Sequence, residues 1–185
     1  MHHVKNDKRS QTSANAIYKT LIRSLQSKAF DAITVSSICE DSNISRATFY
    51  RNFDIIEDVL TWYGDVLVHR VLNDYINLPN SKKNISFEHF AFTYALEEYQ
   101  YIEALSNLNK MHLLEPIVLK ILETAPLNYD PYESPYIKYA ICAKVSSFFG
   151  VINCWMRSGR KESADEIQSN LHEIERYIHL IDVKN

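Results

Sequence analysis

Apolar residues recur at intervals of three and four along almost the whole of this chain, and little interrupts them: its 185 residues include only 3 Gly and 5 Pro. That spacing stacks side chains on one face of a 3.6-residue helix. Tight hairpin turns need residues that accept positive φ, above all Gly, so the chain offers little material for a meander of short strands. The length allows one large domain or a small module plus a larger one, and either can bury a real core. With 46% hydrophobic and 23% charged residues the composition is globular, neither disordered nor collagen-like. The expectation is an all-α fold.

Ile17, Tyr18, Leu21, Ile22 and Leu25 predict a first amphipathic helix over about residues 12–29. Thr34 before Val35, Ile38 and Cys39 reads as the cap of a short second helix. Asn43 interrupts it, and Asn is among the few residues that accept the left-handed backbone a sharp turn needs. Ser45 can then cap a third short helix through Asn52. Asp54 with Glu57 resembles a capping box, and Ile56, Leu60, Tyr63, Leu67 and Val71 form the stripe of a fourth helix to about residue 76.

Residues 79–84 read as a loop, and Ser86 opens another amphipathic stretch through Phe87, Phe90, Ala91 and Tyr94. Helical patterning continues to about residue 125, broken near Glu115 and Pro116 because proline cannot donate inside a helix. Residues 126–135, with three prolines, form the longest irregular connection. The next stretch, 136–157, is apolar on nearly every side, so its own core covers one face and a second copy of the chain is expected on the other. Gly159 ends it, and Ile167, Leu171, Ile174, Ile178 and Ile181 mark a last helix over about 163–181. The total is about nine helices.

Charge is uneven. Residues 1–53 hold eight Lys and Arg against four Asp and Glu, whereas the remaining 132 hold 12 against 19. A basic first third on a weakly acidic protein suggests that a polyanion meets the N-terminal part. No run reaches about 18 consecutive apolar residues and the start of the chain is polar, so no membrane partner is expected and the location reads as cytoplasmic. Cys39, Cys142 and Cys154 fit no disulfide or metal spacing and read as reduced thiols.

His172, Glu175 and His179 share a face of the last helix, but the two histidines lie about 10.5 Å apart along the axis with no third strong ligand, so an interface rim is expected there and no metal. No local signature of a catalytic triad and no phosphate-cradling glycine loop is present, so neither enzyme activity nor a cofactor is expected. Aromatic residues spread through the C-terminal helices could line a pocket for a small apolar or aromatic effector.

Two short helices joined by a tight turn, the second beginning with small polar and basic residues, have the geometry of a helix-turn-helix. Its second helix would offer Ser45, Arg46 and Ala47 to base edges in a major groove, with Tyr50 one turn further on the same face. Arg46 is the candidate for a bidentate contact to guanine, and Thr34, Thr48 and Asn52 for contacts to phosphate. The bland alternative is a three-helix bundle with a solvated Arg46.

Residues 17–60, above all Phe30-Asp31-Ala32-Ile33-Thr34-Val35-Ser36-Ser37-Ile38-Cys39 and Ile44-Ser45-Arg46-Ala47-Thr48-Phe49-Tyr50-Arg51-Asn52-Phe53, resemble the N-terminal DNA-binding domain of the TetR family of bacterial transcriptional regulators. The resemblance covers about a quarter of the chain closely. It implies a DNA-binding domain over residues 1–54 and a helical effector-binding and dimerisation domain over 55–185. It further implies a homodimer joined through the last two helices, bound to double-stranded operator DNA of near-palindromic sequence. A ligand-responsive repressor is the first expectation. The alternatives are an activator or co-activator of the same fold, or a helical interaction module that does not bind DNA. Two positions depart from the family pattern: Asn43 stands at the usual turn glycine, and Ile56 at the usual phosphate-binding lysine. Lys5, Lys8 and Arg9 could replace that lost contact, or belong to a disordered solubilising tail.

Overall fold

The computed structural model describes residues 1–79, 85–122, 136–170 and 173. They form nine α-helices, with no strand among them: α1 (Lys8–Leu25), α2 (Val35–Ser42), α3 (Arg46–Asn52), α4 (Glu57–Ile76), α5 (Phe87–Glu97), α6 (Tyr99–Asn107), α7 (Glu115–Leu122), α8 (Ile137–Arg157) and α9 (Ala164–Ser169). Short 3-10 turns lie at Phe30–Ala32 and Met111–Leu113. The fold is all-α, as the periodicity requires.

α1 begins earlier than its apolar stripe suggests. The Asp7 carboxylate accepts from Ser10 N–H at 2.9 Å, capping the helix at Lys8, and the helix ends at Leu25 rather than near 29. The residues before it are no free tail. His3 N–H donates to Asn52 O at 2.7 Å, and the His3 ring lies 3.1 Å from the Asp54 carboxylate. Ser10 Oγ donates to Asn52 Oδ1 at 2.7 Å, so the arm is tied to the end of α3.

The start of α4 also differs. Asp58, not Asp54, satisfies the open backbone donors, its Oδ2 accepting from Asp54 N–H at 3.0 Å and Ile55 N–H at 3.1 Å. Further along, the stretch expected to run on from Ser86 is cut at Glu98 and again at Leu108–Asn109. Asn109 has φ 55, a left-handed residue that ends α6. Pro116 stands in the first turn of α7, where a missing N–H goes unnoticed, so the expected break there is a helix start.

One core runs through the molecule. α1 packs on α2 and α3 but also on α4 and α6. Ile17, Leu21, Ile38, Phe49, Phe53, Leu60, Phe92 and Leu105 are all fully enclosed, and each such side chain contributes about 1.5–3 kcal/mol of transfer free energy. α8 buries Val145, Phe149, Ile152 and Trp155 on one face, and the Trp155 indole donates to Glu162 O at 2.9 Å. By length and composition alone, α8 is apolar enough to cross a membrane. The expected last helix is described over Ala164–Ser169 only. Its later stripe, the group His172, Glu175 and His179, the loop 80–84 and the proline-rich 126–135 lie outside the described residues.

Candidate nucleic-acid interface and C-terminal cavity

The N-terminal motif is assembled by caps. Thr34, in extended backbone, accepts from Ser37 N–H at 3.1 Å, while the Ser37 hydroxyl accepts from Thr34 N–H at 3.2 Å, a reciprocal pair that fixes where α2 starts. α2 ends at Asn43 with φ 55 and ψ 38. Ile44 N–H reaches back to Cys39 O at 3.0 Å and Asn43 N–H to Glu40 O at 3.2 Å, closing the last turn. Only Ile44 and Ser45 then remain before α3, and Ser45 Oγ accepts from Thr48 N–H at 3.1 Å. Three residues therefore redirect the chain from one helix into the next.

Phe49 and Phe53 point inward from α3 and its end, with ring centroids 5.8 Å apart, and Phe53 meets Trp62 of α4 at 5.9 Å. With that face anchored, helical geometry sends Arg46, Ala47 and Tyr50 outward. All three are exposed, as are Ser45 and Thr34. Thr48 is half-buried and its hydroxyl lies 3.0 Å from Ser45 Oγ.

Asn52 is placed differently from the sequence expectation. It is 2% exposed, its Oδ1 accepts from Ser10, and its amide donates to Thr48 O at 3.0 Å. Its polar atoms hold the arm, α1 and α3 together and are not offered to a phosphate. No periodicity flags such a residue, because its partner Ser10 is 42 residues away. Arg46 carries a contact the sequence did not suggest: its Nη2 donates to the Ser36 hydroxyl on α2.

The electrostatics of this end are simple. Lys5, Lys8, Arg9, Lys19, Arg23, Lys28, Arg46 and Arg51 are all exposed, and among the described residues none of the eight forms an ion pair. Ile56 brings no charge to the start of α4, and its neighbour Ile55 is 56% exposed.

At the other end, α4, α5, α7 and α8 surround a cavity of about 420 Å³. Its walls are aliphatic and aromatic, including Leu67, Val71, Ala91, Val118, Phe148 and Phe149. The polar groups that reach it are engaged elsewhere. Tyr75 hydroxyl donates to Ile85 O at 3.1 Å and Tyr94 hydroxyl to Asp74 at 2.6 Å, a bond that with burial pushes the Tyr94 phenol up to about 12. Glu88 pairs with Lys144 at 2.6 Å. Burial raises the Glu88 carboxyl, but Lys144 and the backbone at the head of α5 outweigh it and hold the group below its ordinary value.

The architecture is shared with solved structures. Lin0861 from Listeria innocua matches with a TM-score of 0.74, over 96% of this chain and 97% of its own, at 16% identity. A TetR transcriptional regulator from Streptococcus agalactiae matches with a TM-score of 0.52, over 94% of this chain and 95% of its own, at 19% identity. No protein-family model and no curated protein sequence matches the chain. At these identities the likeness establishes the fold alone: this chain shares the all-helical architecture of both structures.

Proposed function

We propose that the chain is a DNA-binding transcriptional regulator of the TetR type that acts as a homodimer and not as an enzyme. The observation that carries this reading is α3, capped by Ser45, pinned by Phe49, and presenting Arg46, Ala47 and Tyr50 outward from an N-terminal part whose eight Lys and Arg are exposed and, among the described residues, form no ion pair. A short helix so mounted fits a major groove about 12 Å wide, and the exposed Lys and Arg of the N-terminal part supply the sequence-independent attraction to phosphate. Thr34 and Thr48 flank the base-reading residues and serve phosphate contacts, a role that Asn52 does not share.

A second copy supplies the second half-site. The face of α8 opposite its buried residues carries Tyr139, Ala143, Ser147, Gly150 and Cys154, all exposed in the single chain and mostly small enough for a close helix approach. A Cβ placed on Gly150 meets nothing within 4 Å. Covering this face with its twin, together with the last helix, sets two recognition helices toward one near-palindromic duplex. The same face also accounts for the apolar character of α8 without a bilayer, in keeping with a cytoplasmic protein.

The cavity suits a small apolar or aromatic effector, since 420 Å³ lies within the ordinary range of ligand sites. An effector that prefers one spacing of the two recognition helices shifts the population toward it and so changes DNA affinity. Repression relieved by the effector is the sign we favour. The test is a mobility shift with the DNA flanking the chain's own gene. A discrete complex is expected for the unaltered chain, with at least tenfold weaker binding for Arg46→Ala and Tyr50→Ala; a helical interaction module would give no complex at all.

A further inference from the structure

We propose that Ser36 is a positioning residue for Arg46, and that the pair, rather than the arginine alone, selects guanine at one base pair of each half-site. The inference rests on the DNA-binding reading above and assigns a role within it to a residue that would not itself need to touch DNA.

Ser36 is the second residue of α2 and is exposed, yet it takes no part in capping, which belongs to Thr34 and Ser37. Its hydroxyl oxygen instead accepts from Nη2 of Arg46, the first residue of α3, ten positions away. The contact spans the two helices of the motif and ties the reading side chain to the element that crosses behind it. So placed, the guanidinium also lies near Cys39, one turn along α2 from Ser36: burial raises that thiol and the charge of Arg46 partly opposes the rise.

An arginine on the open face of a helix gives up more side-chain freedom on fixation than almost any other residue. Held by Ser36, Arg46 loses part of that freedom before DNA arrives. The guanidinium has five N–H donors, of which Ser36 engages one. The other hydrogen of Nη2 and those of Nη1 stay in the planar fork that matches O6 and N7 of guanine. A phosphate, approached from many directions, gains little from such aiming. A base edge, which demands a fixed direction, gains most.

The experiment is a competition assay in which each base pair of the best-bound duplex is changed in turn, for the unaltered chain, Ser36→Ala, Ser36→Thr, Arg46→Ala and the double variant Ser36→Ala/Arg46→Ala. The unaltered chain should lose about tenfold or more when one G·C pair per half-site is replaced. In Ser36→Ala that loss should shrink to about threefold or less, with the salt dependence and the melting temperature unchanged, and Ser36→Thr should restore it. Arg46→Ala should abolish it, and adding Ser36→Ala should change nothing further. A Ser36→Ala variant that keeps full discrimination, or that weakens all duplexes equally, overturns the proposal while leaving DNA binding intact. An unaltered chain that binds no duplex overturns both.

Discussion

Tyr18 of α1 lies flat against Tyr63 of α4, ring centroids 3.6 Å apart and planes 11° from parallel. Tyr101 of α6 meets Tyr63 edge-on at 5.0 Å and donates its hydroxyl to Leu60 O at 2.7 Å. Tyr63 hydroxyl in turn donates to Glu98 at 2.8 Å, and Arg70 holds the other oxygen of that carboxylate. Burial raises the phenols of Tyr18 and Tyr101 well above the usual range, so they remain neutral donors. The contact joins α1 of the N-terminal motif to α4, one of the helices around the cavity. Tyr18→Ala should therefore cost about 3–5 kcal/mol in urea unfolding, the range for emptying a large aromatic site. Tyr63→Phe keeps the stack and loses one hydrogen bond, and should cost about 1 kcal/mol.

Gly64 sits where α4 comes close to Leu114 and Tyr101. A Cβ there would lie 2.6 Å from Leu114 Cδ2 and 2.7 Å from the Tyr101 hydroxyl. Alanine in a helix gains about 1 kcal/mol over glycine, but the Tyr101 hydroxyl is fixed on Leu60 and cannot retreat. Overpacking of this kind costs about 1–3 kcal/mol, which after that gain leaves a net loss of up to about 2 kcal/mol, so Gly64→Ala should lower the melting temperature by a few degrees in calorimetry. An unchanged or raised value would show that the approach is looser than described.

The turn at Asn43 depends on its left-handed backbone. Asn43→Gly should leave stability equal or slightly higher, whereas Asn43→Val should lose about 1–2 kcal/mol, because a β-branched residue resists that conformation. The matching readout is DNA affinity, which should fall for the valine variant as α3 loses its angle to α2.

Acid should loosen the cavity end through Glu88. Its folded-state value is lowered, so the stability it contributes is present above the ordinary carboxylate value of 4.5 and is lost as pH falls through the lower folded value. Glu88→Gln should lower the melting temperature modestly in the neutral range, where the contribution is present, and flatten its fall below about pH 4.5. An identical acid limb in both proteins would contradict the assignment.

Filling the cavity separates ligand binding from folding. Ala91→Trp places a large ring into space lined by Val71 and Phe148 and should weaken binding of an apolar naphthalene fluorophore at least tenfold, as read by fluorescence titration. The same variant should keep its helical circular dichroism signal. Unaltered dye affinity would place the dye elsewhere.

The helix interiors were legible in the sequence because burial imposes a 3.6-residue spacing, and the starts at Thr34, Ser45 and Ser86 because a side-chain oxygen accepts a nearby N–H. Asn43 was legible as a left-handed turn for an equally local reason. What escaped was decided at a distance. Glu98 divides α5 from α6 while its carboxylate is held by Tyr63 and Arg70, 35 and 28 residues away. The expected cap at Asp54 does not form: α4 starts after Ile56 without a side-chain cap, and Asp58 instead accepts from the backbone N–H groups of Asp54 and Ile55, a choice between two carboxylates that pattern alone does not make. The exposed face of α3 was legible through its spacing, but the burial of Asn52 and the Ser36 contact of Arg46 arise from how α1, α2 and α3 meet.

In the proposed complex α3 enters duplex DNA and the exposed cations of the N-terminal part replace counterions. The most direct test is a fluorescence anisotropy titration of the unaltered chain with the duplex upstream of its own gene across about 50 to 200 mM salt. The account predicts binding that weakens by orders of magnitude over that interval, with log affinity linear in log salt and a slope of several units. Absence of binding at the lowest salt, or an affinity indifferent to salt, would contradict it.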